Sequence, residues 1–318
     1  EALRNNTTGD LNVAVGVQAM RNSTNADRNV AVGYTTLTNI AADQGDTYHT
    51  CVGYAAGNNI TTATQQTHVG ASAGSNTTTG HRCTFVGYNA GATNTTGIDN
   101  AAFGRATFQN NSTGSYNTAL GTGASTSNTT GNNNTAIGYN ALTSNTTGYR
   151  QVAIGYQALL NHTGTDANAH GIVAIGYNAL KTSVNGLYNV AIGYKAGQNN
   201  TSHYQTFVGR ETGMTNSGSG YGCAAIGHQA QQYATGQENV SVGGSAAKGS
   251  SSGSTGSYNT AMGGEALRDF TTAAWSTAFG RHALRLLTTG NNNTGVGQGS
   301  FNGLTTGSYN TGLGSASS

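Results

Sequence analysis

The chain has 318 residues, 49 of them Gly and none Pro, and only 8% of it is charged, with a net charge of +2 and a pI near 8.4. Leu, Ile, Val and Phe make up about 15% of it, too little for an ordinary globular core. Lys and Arg are too thinly spread to leave a basic footprint for nucleic acid or an anionic membrane, and no apolar run approaches the ~18 residues of a membrane-spanning helix.

In chain order the sequence is one unit repeated. The opening Glu1-Ala2-Leu3 matches Glu265-Ala266-Leu267 in phase, so the chain is expected to begin inside a longer fibre; Glu1 to Asp10 carry no signal-peptide pattern. From there the unit [NQ]-[TV]-A-[IV]-G recurs, as in Asn134 to Gly138 and Asn189 to Gly193. Its glycine falls at 16, 33, 53, 70, 87, 104, 121, 138, 155, 176, 193, 209, 227, 243, 263, 280, 297 and 314. Eleven of the seventeen intervals are 17 residues, and the rest return to phase after small insertions. Stacked coils behave this way when one loop swells. The expected fold is an all-β parallel β-solenoid, or β-roll, of about eighteen 17-residue coils. It is read as a single repetitive domain over 1–318, with insertions near 39–49, 160–171 and 244–258. At about 4.8 Å per rung, eighteen rungs give a rod of roughly 85 Å.

Each coil position has its own character. Gly16, Gly33, Gly138, Gly155 and Gly193 represent the structural glycine, and the residue before it is apolar every time: Val15, Val32, Ile137, Ile154, Ile175, Ile192. That residue shares a strand face with the Val, Thr or Ala two positions earlier, while Ala lies on the opposite face. Both faces read as buried, one by bulk and one by close approach. Ala-Leu pairs after the glycine, such as Ala141-Leu142, predict a second short strand. A second glycine ten residues on, in Asn-Thr-Thr-Gly runs, reads as a turn that uses positive φ. Strand-start Asn residues (Asn12, Asn29, Asn100, Asn117, Asn134) should form an amide ladder.

A 17-residue coil encloses little volume, so a continuous row of bulky side chains calls for a second surface. A homo-oligomer with the row at its axis is expected. In the alternative, the row fills the coil's own interior and the rod is monomeric.

At Asn189 to Gly193 with Ala196, and at Asn134 to Gly138 with Ala141, the chain resembles the YadA-type head repeats of trimeric autotransporter adhesins and related bacteriophage tail-fibre repeats. The resemblance implies a left-handed roll, a homotrimer with the V-A-I-G strand near the axis, and attachment to a cell surface. The longer coil, the frequent Tyr and the absence of a recognisable stalk or membrane anchor depart from the adhesin pattern and favour a phage-type or free fibre.

Candidate sites are few. Tyr139, Tyr156, Tyr177 and Tyr194 follow the glycine in four consecutive coils and could contact sugars or stack on one another. The swollen loops Asn39 to His49, Leu160 to Gly171 and Gly244 to Tyr258 could carry receptor contacts or could simply have drifted. His162, Asp166 and His170 form a loose metal-like set, although the residues favour no metal or other cofactor. Three cysteines define no disulfide framework; Cys83 and Cys223 share a coil position and read as small buried residues, or as an interchain link. Sequons at Asn76, Asn94, Asn128 and Asn145 follow from the turn motif.

No catalytic motif is present, so a non-enzyme is expected, although Asp166 or Glu211 could serve a glycan-processing fibre. The leading expectation is a structural and adhesive fibre segment, from a phage tail or cell surface, extracellular or on a virion. It would partner itself and a surface glycan or protein receptor, without nucleic acid or membrane insertion. The alternative is an ice-binding solenoid using Thr118, Thr135, Thr260, Thr277, Thr294 and Thr311.

Overall fold

A computed structural model of the protein describes residues 1–41, 45–163, 171–184, 186–215 and 221–316. The protein is an all-β solenoid with one three-residue strand per coil, β1 (Val13–Val15) to β18 (Thr311–Leu313) in chain order. Among the described residues there is no helix, and none long and apolar enough to cross a membrane. The chain forms two compact units. One is centred on Glu1–Ile154 and holds β1 to β9 (Val152–Ile154); the other is centred on Gly155–His162 and the chain from 171 on, and holds β10 (Val173–Ile175) to β18.

Within each unit successive strands pair in parallel and in phase. In the first, Ala14 lies over Ala31 and Val15 over Val32; in the second, Ala261 lies over Ala278 and Met262 over Phe279. The motif glycines therefore align rung over rung. A Cβ built on Gly155 would sit 2.5 Å from the Gly176 carbonyl oxygen, and one on Gly193 equally close to that of Gly209. Their φ values of +131° and +135° already exclude an L side chain.

Three expectations are corrected. The strand faces are not both buried. The central residue of every strand after β1 is buried, whereas the flanking residues are half-buried or exposed. The coil interior is filled from the chain's own small strand centre and from the Ala-Leu pair: Ala136, Ala141 and Leu142 are fully or almost fully buried. That leaves the aliphatic row outside, and the alternative of a row packed inside its own coil fails.

The second strand does not form. After the glycine, residues two and four positions on take left-handed backbone, as Asn140 (φ +52°) and Leu142 (φ +55°) do, so the chain curls instead of extending. Rung-to-rung bonding continues regardless: the Asn140 N–H donates to the Thr122 carbonyl at 3.0 Å, and the Ser125 N–H to Ala141 at 2.9 Å. Left-handed backbone costs a side-chain-bearing residue about 1–2 kcal/mol. Burial of Leu142 and the inter-rung hydrogen bonds offset this.

The second glycine does not use positive φ. Gly97 and Gly114 are absent from the left-handed region, which the coil instead fills with non-glycine residues. They are glycine for lack of space: a methyl group at Gly97 would run into the Gly114 carbonyl and the amides of Asn94 and Asn100.

The amide ladder forms as expected. Asn117 donates from its backbone N–H and its Nδ2 to Asn100 Oδ1, at 3.0 and 3.2 Å, and its Nδ2 also reaches the Gly131 carbonyl at 2.9 Å. A second, buried ladder runs through the sequon asparagines. Asn111 Nδ2 donates to Asn94 Oδ1 at 2.6 Å, Asn128 to Asn111 at 2.9 Å and Asn145 to Asn128 at 3.1 Å. Of Asn76, Asn94, Asn128 and Asn145 only Asn76 is exposed.

Candidate functional site

Alternation along the strand determines what the outer face presents. Counting from the motif glycine, positions −3 and −1 project outward, and the exposed tyrosines at +1 lie beyond them. Val15 is 56% and Ile192 37% exposed, while Val32, Ile137, Ile154 and Ile175 are half-buried. Columns of Val or Thr and of larger apolar residues thus form a flat, partly wet face in each unit.

Tyrosines line one margin of that face. Tyr156 stacks on Tyr177 with centroids 5.1 Å apart, and Tyr177 on Tyr194 at 5.2 Å, each pair within 11° of parallel. Tyr34 and Tyr54 do the same at 5.6 Å. The planes are turned toward neighbouring rungs, so these columns present ring edges and phenol groups to solvent. Tyr139 is about half exposed. At the end of its column, Tyr194 has the cations of Lys195 and Arg210 over its ring at 5.3 and 5.9 Å.

A second aromatic column, five residues before the glycine, was missed by sequence reasoning. Tyr188 stacks on Tyr204 at 5.4 Å and Tyr258 on Trp275 at 5.6 Å, and all four are exposed. The recurrence of aromatics five residues before the glycine, at Tyr48, Tyr116 and Tyr309 as well, was the available signal.

The three swollen loops differ. In the first, residues 42–44 lie outside the described residues; beside them Arg28 pairs with Asp46, to which the Tyr48 hydroxyl donates at 3.2 Å. In the second, Asp166 and His170 lie outside the described residues. His162 is buried, its Nδ1 lies 3.2 Å from the Ser183 carbonyl, and burial pushes its pKa down to about 4. Among the described residues no group of three His, Cys, Asp or Glu could hold a metal. The third loop is described throughout. Its base pairs through Ala234 and Ser254, and Ser254 Oγ donates to the Phe270 carbonyl at 2.5 Å. The Ser250 N–H donates to Ser254 Oγ at 2.8 Å, which fixes the tip.

Glu211 accepts from Gln229 Nε2 at 2.9 Å and Arg210 at 3.1 Å, and these contacts hold its carboxyl below the usual range. All three cysteines are buried free thiols, so none presents a sulfur for an interchain bridge. Burial pushes Cys51 up to about 12 and Cys83 up to about 11.

No family model matches the chain, and comparison with curated proteins gives no match either.

Proposed function

We propose that the chain is a structural and adhesive fibre segment that associates with copies of itself through the outer strand face and presents its inserted loops for surface attachment. The single observation carrying this reading is the exposed aliphatic row. The solenoid fills its own interior with Ala136, Ala141, Leu142 and their counterparts, yet keeps Val15, Ile192, Ile226 and Phe279 at the surface. Covering a Val, Ile or Phe side chain fully is worth roughly 1.5–3 kcal/mol, and a row repeated at every rung makes the total large. A homotrimer with three such faces around one axis accords with the family resemblance, and extracellular or virion-surface placement follows from the role.

Sedimentation velocity at micromolar concentration tests the reading. A trimer is expected, and Ile192→Lys with Ile226→Lys should shift it toward monomer and lower its melting temperature, because association stabilises the folded chain; a monomeric wild-type chain would refute it.

Four consecutive threonines support ice binding as a second reading. Thr260, Thr277, Thr294 and Thr311 align rung over rung on the outer face. The bulky Met262 and Phe279 beside them roughen the array. Thermal hysteresis by the purified chain would favour this reading, and its absence would eliminate it.

A further inference from the structure

The loop between Gly244 and Tyr258 swells its coil to an interval of 20 residues and is held rigidly by the hydrogen bonds of Ser254. Its tip, Ser250 to Gly253, lies between two clefts, open to solvent, that share Tyr233 and Ser251 as walls. The larger is about 570 Å³ and the smaller about 410 Å³.

The lining of the larger cleft is preorganised. Arg268 is clamped by Asp269 through two hydrogen bonds of 2.6 and 2.7 Å, and by Glu265 at 2.9 Å. Arg285 braces Glu265 from behind at 2.9 Å. Lys248 Nζ donates to Gln229 Oε1 at 3.1 Å and lies 5.8 Å from the centre of the Tyr233 ring. Within the cleft the charges of Lys248 and Arg268 balance those of Glu265 and Asp269. The smaller cleft is lined by Thr215, Thr235 and Thr255, the first two with hydroxyls that donate to the Gln232 and Ser254 carbonyls.

We propose that this cleft binds a neutral glycan. A sugar ring offers an apolar C–H face and vicinal hydroxyls that both donate and accept. Tyr233, half-buried with Lys248 over one side of its ring, supplies the remaining aromatic surface for the first, and fixed guanidinium and carboxylate groups complement the second without needing a counter-charge. A polyanion finds no net positive charge in this lining, and a peptide finds neither a free strand edge nor an apolar pocket. The inference deepens the attachment role and rests on it for its biological sense, while the cleft itself is local to this loop.

Saturation-transfer NMR and calorimetry on the whole chain would use maltohexaose, cellohexaose, β-1,4-galactohexaose and α-1,6-mannohexaose as neutral probes, with hexagalacturonate as the acidic one. At least one neutral probe is expected to bind, and Tyr233→Ala and Arg268→Met should each weaken it by about 5-fold or more, with Tyr233→Phe close to wild type. Ser251→Tyr, at the exposed tip, should block binding without touching the core. Failure of every neutral probe, preference for hexagalacturonate, or binding indifferent to these variants would overturn the proposal. A trimer that binds no sugar sinks this inference alone, whereas a monomer that binds one sinks the fibre reading and leaves the cleft standing.

Discussion

Gly91 is a glycine because Phe85 is a phenylalanine. A Cβ built on Gly91 would lie 2.6 Å from the Phe85 ring, which fills the strand centre of its coil. In this coil and several others the strand centre and the fourth residue after the motif glycine share one volume, whereas Gly197, partner of Ala191, makes room for Leu180 and Phe207 of the coils on either side. Where the centre is Ala136 the partner is Leu142, and where it is Phe207 the partner is Gly213, packed against that ring. Where the centre shrinks to Gly295, the partner grows to Phe301.

Gly91→Leu is therefore expected to overpack the coil. Besides the ring, the change meets a left-handed backbone of φ +57°, although Leu142 shows that Leu tolerates such a backbone in this position. A loss of roughly 1–3 kcal/mol is predicted, measured by urea unfolding. Phe85→Ala added to Gly91→Leu recreates the Ala136 and Leu142 pairing and should recover most of it. A double-mutant cycle with no coupling would contradict shared volume.

Much of the fold was legible in the sequence because the backbone constraint is strict: each motif glycine meets the next one's carbonyl, so Gly16 and Gly33 admit no substitute and announce the period. The strand centred on Ala136 and the ladder through Asn100 and Asn117 followed from that phase. What followed the glycine was misread because Ala141-Leu142 has the apolar character of a strand, while its conformation is fixed by left-handed backbone at Asn140 and Leu142, which neither residue type advertises. In the candidate sites, Tyr156, Tyr177 and Tyr194 were visible as a repeat. The cleft beside Tyr233 was not, because Lys248 and Arg268, both five residues after a motif glycine, come together with Tyr233 only through the stacking of coils.

Acid should weaken the first unit through His68 and His49. His68 is fully buried, stacks on Phe85 with centroids 5.1 Å apart, and has no partner for either ring nitrogen; burial lowers its pKa from 6.5 to about 3. His49 falls to about 4, chiefly through burial. Both folded-state values lie below the unfolded value, so the unfolded chain takes up protons that the native chain refuses. Stability is thus unaffected above about pH 6.5 and falls as pH drops through 6 and 5, by roughly 5 kcal/mol for His68 once its folded pKa is passed. His68→Phe, with Gly74 beside it to leave room, should flatten the decline in urea midpoint between pH 6.5 and 5. An unchanged slope would exclude His68 as its source.

The thiols should be silent in the native state. Cys83 Sγ donates to the Gly97 carbonyl at 3.3 Å, and Cys51 occupies a strand centre with no exposure. With pKa values pushed to about 11 and 12, almost no thiolate exists at neutral pH. Ellman's reagent should label the cysteines only at the rate of unfolding, and immediate reaction of one thiol per chain would show an opening absent from this structure.

The buried sequon ladder yields a test of cooperativity. Asn111 donates to Asn94 Oδ1 and to the Gly114 carbonyl, and accepts from Asn128, all away from water. Asn111→Leu strands polar atoms above and below it, a cost of about 1–3 kcal/mol for each buried group left unsatisfied. Yet the same coil position holds Phe270 and Leu287, fully buried, in the second unit, so the coil itself accepts an apolar column there. What it rejects is an apolar residue inside an amide ladder. Replacing Asn94, Asn111 and Asn128 together by Leu should therefore cost less per site than Asn111→Leu alone, because only the ends of the block lose partners. Equal cost per site in guanidinium unfolding would mean that each asparagine serves its own turn, through bonds such as that to Gly114, and not the column.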